Sequence, residues 1–371
     1  MTSRPGTVVR RAPGKLFVAG EYAVVEPGNP AILVAVDRHV TATVSPVGTG
    51  VVISSDLAAR PVRMRWQDGG LGGHDATDEQ RARAGLAHVV SAVETVGRLL
   101  AERGLSAPAF EVSIGSRLHD NGTKFGLGSS GAVTVATVAA VASFCGLRLS
   151  PDARFRLAML ATAGIDTKAS GGDLAASTWG GWIAYQAPDR AAVLDLARRR
   201  GIEEALRAPW PGFGVRRLPP PNGLSLEVGW TGTPASTASL VSDLNRRTWR
   251  GTASHQRFTQ TTTDCVRASV SALERGDRGE LLYQIRRARH ALAQLDDEVG
   301  LGIFTPALTA LCDAAEAVGG AAKPSGAGGG DCGIALLDAE AAPQVSQLHQ
   351  RWATAGVRPL PIRAAMEGNE E

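Results

Sequence analysis

Between residues 7 and 55 the apolar positions come in short runs, at 16–19, 31–36 and 40–45, with Gly, Pro and Asn between them. Runs of this length bounded by turn formers predict strands, so the chain opens β-rich. Residues 60–78 carry Trp66 and the turn sequence Asp68-Gly69-Gly70, which predicts a hairpin and an exposed loop. The period then changes. Leu86, Val89, Val90, Val93, Val96, Leu99 and Leu100 fall on one face at helical spacing and predict a helix over about residues 79–103. Residues 110–114 alternate as a strand, and residues 133–145 are almost wholly Ala, Val, Thr and Ser, a composition that lets a buried helix pack closely.

Ser150-Pro151 suits the N-cap and first position of another helix, with Phe155, Leu157, Met159 and Leu160 as its apolar residues. A strand-like run at 180–186 follows, then a Pro-rich interval at 209–221, the best linker candidate in the chain. Beyond it the pattern predicts a strand at 224–230, helices as far as residue 318, a Gly-rich segment at 319–330 and a strand at 332–337. The organisation this predicts is an N-terminal domain over residues 1–187, a linker over 188–222 and a C-terminal domain over 223–371.

Length and composition narrow the function classes. A chain of 371 residues, 44% hydrophobic and 20% charged, has room for two domains and a substantial core. Its formal net charge of +3 is too small for a nucleic-acid binder, and runs such as Arg198-Arg199-Arg200 read as solvated helix faces. Cys145, Cys265, Cys312 and Cys332 are widely spaced with no C-x-x-C, so they indicate neither zinc nor a disulfide framework and suit a reducing cytoplasm. The N-terminus lacks the apolar core of a signal peptide, and no stretch predicts a membrane span.

The chemistry centres on Lys124-Phe125-Gly126-Leu127-Gly128-Ser129-Ser130-Gly131-Ala132, which feeds the small-residue helix. The two serines stand where a helix N-cap belongs. Unpaired amides and the helix dipole at such an N-terminus attract a phosphate, and the glycines remove Cβ atoms that would keep an anion off the backbone. A tight turn before a core helix accounts for the same residues. The letters fit G-x-G-x-x-G, but a dinucleotide fingerprint follows a strand directly, and here the polar run 119–124 intervenes. A Walker-type G-x-x-x-x-G-K-[ST] is absent.

Two further motifs decide between these readings. Ala12-Pro13-Gly14-Lys15-Leu16-Phe17-Val18-Ala19-Gly20-Glu21-Tyr22 stands near the N-terminus, and Lys323-Pro324-Ser325-Gly326-Ala327-Gly328-Gly329-Gly330-Asp331 near the C-terminus. In that order the three motifs resemble the GHMP small-molecule kinases, over roughly residues 8–337. Lys124-Phe125 before the glycine loop, and residues 230–237, resemble the phosphomevalonate kinase branch; the mevalonate kinase branch is the runner-up. A silent metabolite sensor on the same fold is disfavoured by the joint presence of Lys15, Ser130 and Asp173. An oxidoreductase is disfavoured by the missing strand before the loop.

The resemblance implies an α/β fold of two domains with the active site in the cleft between them. It implies ATP and Mg²⁺ as cofactors, and 5-phosphomevalonate as the small molecule bound. Gly126, Leu127, Gly128, Ser129, Ser130, Gly131 and Ala132, with Lys124, would hold the nucleotide, and Ser130 the Mg²⁺ ion. Lys15 and Asp173 would be catalytic. Ser170, Gly171, Gly172, Ser236, Ser325, Gly326, Ala327 and Gly328 would join Lys15, Lys124 and Asp173 at the acceptor. Asp331 would tether the third loop. Mevalonate kinases carry a metal-binding glutamate about a dozen residues before the catalytic aspartate; here Ala161 and Thr162 stand there and Asp166 is the nearest carboxylate, so the metal's second protein ligand is unassigned.

Overall fold

The computed structural model describes all residues except 1–5, 68–69, 121, 236–239, 241–243, 245–248 and 366–371. The N-terminal half begins with β1 (Val8–Ala19), β2 (Pro30–Pro46), β3 (Val51–Ser55), β4 (Val62–Gln67) and β5 (Gly70–Gly73). The helices α1 (Ala76–Gly85) and α2 (Ala87–Glu102) precede β6 (Phe110–Ser116) and the small hairpin of β7 (His119–Asp120) and β8 (Thr123–Lys124). Next come α3 (Ser129–Phe144), α4 (Pro151–Ile165), α5 (Gly172–Trp179) and β9 (Trp182–Gln186).

The runs expected at 31–36 and 40–45 are one strand. The polar interruption Asp37-Arg38-His39 stays extended because the C-terminal segment pairs with it: Asp37 N–H donates to Arg363 O at 2.9 Å, and Val36 bridges Ala364. Conversely, the single helix expected over 79–103 is two, meeting at an angle of 102°. Leu86, at φ −120° and ψ 13°, leaves helical geometry, and Asp75 caps α1 by accepting from the Asp78 N–H at 2.8 Å. Apart from Leu86 at the break, the apolar face read from the sequence lies on α2, which packs on α3 and α4. Ser150 caps α4 as expected, accepting from the Ala153 N–H at 3.2 Å.

The interval 188–222 is more than a linker. It holds α6 (Arg190–Arg200), α7 (Ile202–Arg207) and β10 (Gly214–Leu218), and β10 pairs antiparallel with β9 as the edge of the first sheet. Phe213 beside that edge stacks on the buried Phe155 ring, at 4.9 Å and 9°, and Trp210 is buried against the same ring. Aromatic burial therefore overrides the breaker signal of the prolines. Only residues 219–223 run free between the two sheets.

The first sheet has the order β10-β9-β2-β6-β3-β4-β5, with β1 also paired to β2, and only the β3–β6 pair is parallel. The small-residue helix α3 lies against β1 and β2 and is buried almost all round, so it carries no polar face. The C-terminal half comprises β11 (Leu224–Trp230), α8 (Ala253–Arg275), α9 (Arg278–Val299), α10 (Pro306–Glu316), β12 (Ala321–Pro324), β13 (Cys332–Asp338), α11 (Ala342–Thr354) and β14 (Arg358–Leu360). Its antiparallel sheet runs β12-β13-β11-β14, and α8 reaches across to β1, β2 and β10. Among the described residues no single helix is long and apolar enough to cross a membrane.

Candidate active site

The glycine loop enters α3 with Gly128 as the N-cap residue, in the left-handed region at φ 73°. The serines therefore sit one step further on than expected, in the first turn. With glycine at the cap no side chain satisfies the first-turn amides, which leaves them for an anion, and the serine hydroxyls are not spent on capping. Leu127 and Ala132 are buried and give the loop its shape: the Leu127 carbonyl accepts from the Lys15 N–H at 2.8 Å, and the Ala132 N–H donates to Gly128 O at 3.1 Å.

That backbone bond brings the first motif under the loop. A Cβ on Gly128 would lie 2.9 Å from the Lys15 stem, so the bare glycine is what lets the lysine pass beneath the cradle. Lys15 is 8% exposed. Burial pulls its pKa below the ordinary lysine value, and the carboxylates of Asp173 and then Asp331 oppose that shift by favouring the ammonium.

Asp173 arrives from α5, another helix with an uncapped left-handed glycine, Gly171 at φ 79°, as its N-cap residue. Its Oδ1 accepts from the Leu174 N–H at 3.0 Å, and a Cβ on Gly131 would overlap its carboxylate. The two helix starts thus converge, with serine hydroxyls on one and a carboxylate on the other. The approach depends on Gly131 lacking a side chain, and Gly131→Ala keeps an ordinary helical backbone while displacing Asp173. We expect kcat to fall by about tenfold or more with the melting curve unchanged, since small misplacements of a reacting group are costly. A kcat within twofold of wild type would remove this contact from the mechanism.

The third motif closes from the C-terminal half. The Ser325 hydroxyl accepts from the Phe17 N–H at 2.8 Å and donates to Phe17 O at 3.0 Å, so it is committed to strapping this loop onto the first motif. Tyr22 donates its hydroxyl to Ala327 O at 2.5 Å, and Gly328 sits against the Ile303 backbone, where a Cβ would lie 2.5 Å from Ile303 O. Lys323, fully buried, forms an ion pair with Glu21 and donates to Pro324 O at 2.7 Å. Asp331 accepts from the Ala235 N–H at 3.1 Å, and its side chain fills the space beside Gly126, the tethering role expected of it.

Beside the cradle opens a cavity of about 670 Å³. Ser129, Ser130 and Lys124 line it with His88 and His119, charged side chains such as Asp56, Arg60 and Arg81, and apolar ones such as Val62 and Leu86. Burial holds His88 below the ordinary histidine value, although Asp173 favours its charged form.

This chain matches the family described as GHMP kinases N terminal domain over residues 87–181 and GHMP kinases C terminal over residues 269–353. It is 73% identical over 373 residues to a phosphomevalonate kinase of Streptomyces sp. (strain CL190), covering 99% of this chain and 100% of that one. The chain is a GHMP kinase. A mevalonate kinase of Pyrococcus abyssi is 27% identical over 98% of this chain and 97% of its own. Among solved structures, the Streptococcus pneumoniae phosphomevalonate kinase in complex with phosphomevalonate and AMPPNP superposes with a TM-score of 0.83 at 28% identity, covering 96% of this chain and 99% of that one.

In this GHMP kinase Lys15 lies against Gly128, Asp173 against Gly131, and Lys124 lines the cavity with Ser129 and Ser130, while Ser325, Ala327 and Gly328 are engaged in the strap. Ser170 lies beside Asp173's helix, where its hydroxyl accepts from the Gly172 N–H at 3.3 Å and its carbonyl from Tyr185 at 2.6 Å. Gly326 donates to Glu21. Ser236 lies outside the described residues. The Glu21–Lys323 pair was missed in the sequence, although a lone carboxylate inside the apolar stretch 16–25 signals a buried partner.

Proposed function

We propose that this GHMP kinase transfers the γ-phosphoryl group of ATP to 5-phosphomevalonate, giving ADP and 5-diphosphomevalonate on the route to isoprenoids. The 73% identity to the Streptomyces phosphomevalonate kinase, over nearly the whole of both chains, carries the choice of acceptor. The placing of Lys15 and Asp173 against two glycines of one loop, with the carboxylate favouring the ammonium, supports the chemistry.

In this reading the loop amides and Ser129 hold the transferring phosphates, and the cavity beside them takes the nucleoside. A phosphate oxygen of the acceptor attacks the γ-phosphorus in line as the bond to the β-phosphate oxygen breaks. That oxygen is already largely ionised at neutral pH, so Asp173 orients the acceptor and Lys15 rather than removing a proton. Lys15, whose charged form Asp173 and Asp331 favour against burial, balances the charge gathered at the reacting oxygens.

Among the described residues no three or more His, Cys, Asp and Glu side chains cluster to hold a metal. The oxygens that are present, the Ser130 hydroxyl and the Asp173 carboxylate against Gly131, fit Mg²⁺, which keeps several waters and takes most of its ligands from substrate phosphates. Ser130, with Asp173 nearby, would hold it. Bound there, the ion would neutralise charge on the β- and γ-phosphates. Thr162, in place of the mevalonate kinases' glutamate, leaves its buried hydroxyl without a hydrogen-bond partner. All four cysteines are free, which suits the cytoplasm as the compartment.

Lys124 is exposed at the end of β8 and influences both Asp331 and His88, so it stands over the mouth of the site. An acceptor that already carries a phosphate needs such a cation more than mevalonate does. Lys124→Met should raise KM for 5-phosphomevalonate by about tenfold or lower turnover, and leave mevalonate a poor substrate. The measurement is ADP release with 5-phosphomevalonate, mevalonate, galactose and homoserine side by side. Equal efficiency of the wild type on mevalonate and its phosphate would transfer the assignment to a mevalonate kinase.

A further inference from the structure

A second cleft, of about 740 Å³, has no part in the transfer just described. It lies where the two halves of the chain meet: β2 contributes Asp37 and Arg38, the approach to the β7–β8 hairpin Arg117, and β14 Arg358. Ser116 and His119 line both this cleft and the cavity beside the cradle.

Its charge is unbalanced. The Asp37 carboxylate accepts from the Arg363 N–H at 3.0 Å, and Asp120 faces Arg358 at 3.5 Å, with both side chains about half exposed, an arrangement worth little. Among the described residues neither Arg38 nor Arg117 has an ion-pair partner. The neighbouring His39 registers the excess: burial first, then Arg11 and Arg117, hold it below the ordinary histidine value against the opposing pull of Asp37. Both ring nitrogens of His119 are buried without a hydrogen-bond partner, the nearest carboxylate being Asp56 at 3.4 Å.

Two of the guanidinium groups cover a single ring. Arg38 stands 4.8 Å and Arg358 5.5 Å from the centroid of Phe125, whose edge also meets Trp230 at 5.5 Å. Two like charges gathered on one ring repel unless an anion bridges them. Phe125 is the residue before Gly126, and the hairpin that ends in Lys124 borders the same cleft. Whatever neutralises these arginines therefore acts next to the phosphate cradle.

We propose that the cleft binds the phosphate or diphosphate group of a small molecule other than the reacting pair, with Arg38, Arg117 and Arg358 as its cations, and that Phe125 and the β7–β8 hairpin couple its occupancy to nucleotide binding. Planar guanidinium forks suit oxyanions of this kind, and three of them offer more donors than Asp37 and Asp120 can accept.

The test is calorimetric titration of inorganic pyrophosphate, with inorganic phosphate as the second arm, into enzyme saturated with AMPPNP and 5-phosphomevalonate, Mg²⁺ being in excess. One further equivalent should bind. Arg38→Gln/Arg358→Gln should weaken it by roughly tenfold or more. Arg117→Gln, which does not touch Phe125, should weaken it severalfold with AMPPNP affinity unchanged, and decides the matter should the double variant fail to fold. In wild type, pyrophosphate should shift the AMPPNP affinity, and AMPPNP the pyrophosphate affinity by the same factor. Absence of binding to the filled enzyme, or equal binding by the variants, would overturn the site; binding without any mutual shift would overturn the coupling. Because the titration reads binding and not turnover, it is decided independently of which acceptor the enzyme phosphorylates.

Discussion

Asp173→Asn is expected to lower kcat by about 10²-fold or more while ATP still binds with nearly its normal affinity. The amide keeps the size of the carboxylate, and the local bond to the Leu174 N–H can survive through its oxygen. What disappears is the negative charge that most favours the Lys15 ammonium, which already suffers from burial and would keep only the more modest help of Asp331 and Glu21. The variant thus loses both an orienting group and the main support of the cation beside it. Separate determination of AMPPNP affinity and turnover checks this, and near-normal turnover would remove Asp173 from the mechanism.

Glu21→Gln should cost roughly 3–5 kcal/mol of stability, because it leaves the Lys323 ammonium, fully buried, without a counterion. Only neutral oxygens, the Pro324 carbonyl and the new amide, would remain to it. The loss should show as a drop in Tm of about 5 °C. Replacing both partners, as Glu21→Gln/Lys323→Met, should recover part of it, since no unpaired charge then stays inside. The pair joins the first motif to the third, so the single variant should also loosen the strap that Ser325 and Tyr22 complete. A change below about 1 kcal/mol in the single variant would mean that the pair is not a structural clamp.

Elements with a strong local pattern stand where the sequence predicted them. The strand at 224–230 is β11 residue for residue, and the Ser150-Pro151 start of α4 follows from a cap whose chemistry is contained in a few neighbouring side chains. The readings that shifted depend on distant partners. A polar interruption remains in β2 because residues 363–364 pair with it, and β10 forms in a Pro-rich interval because aromatic rings on both sides can be buried.

The same division holds at the site. By itself the sequence determined the kinds of chemistry available: glycines where an anion must approach backbone, serines at a helix start, and a lysine and an aspartate in separate motifs, because residue type and spacing are local properties. Only the tertiary structure decided which of these groups meet. Lys15 and Asp173 are 158 positions apart in the chain, and Lys323 and Glu21 are 302 apart. The approach of the first two depends on bare glycines, Gly128 above the lysine stem and Gly131 against the carboxylate, and the second pair belongs to the strap closing from the other half. Long-range packing sets such distances, and no local pattern records them.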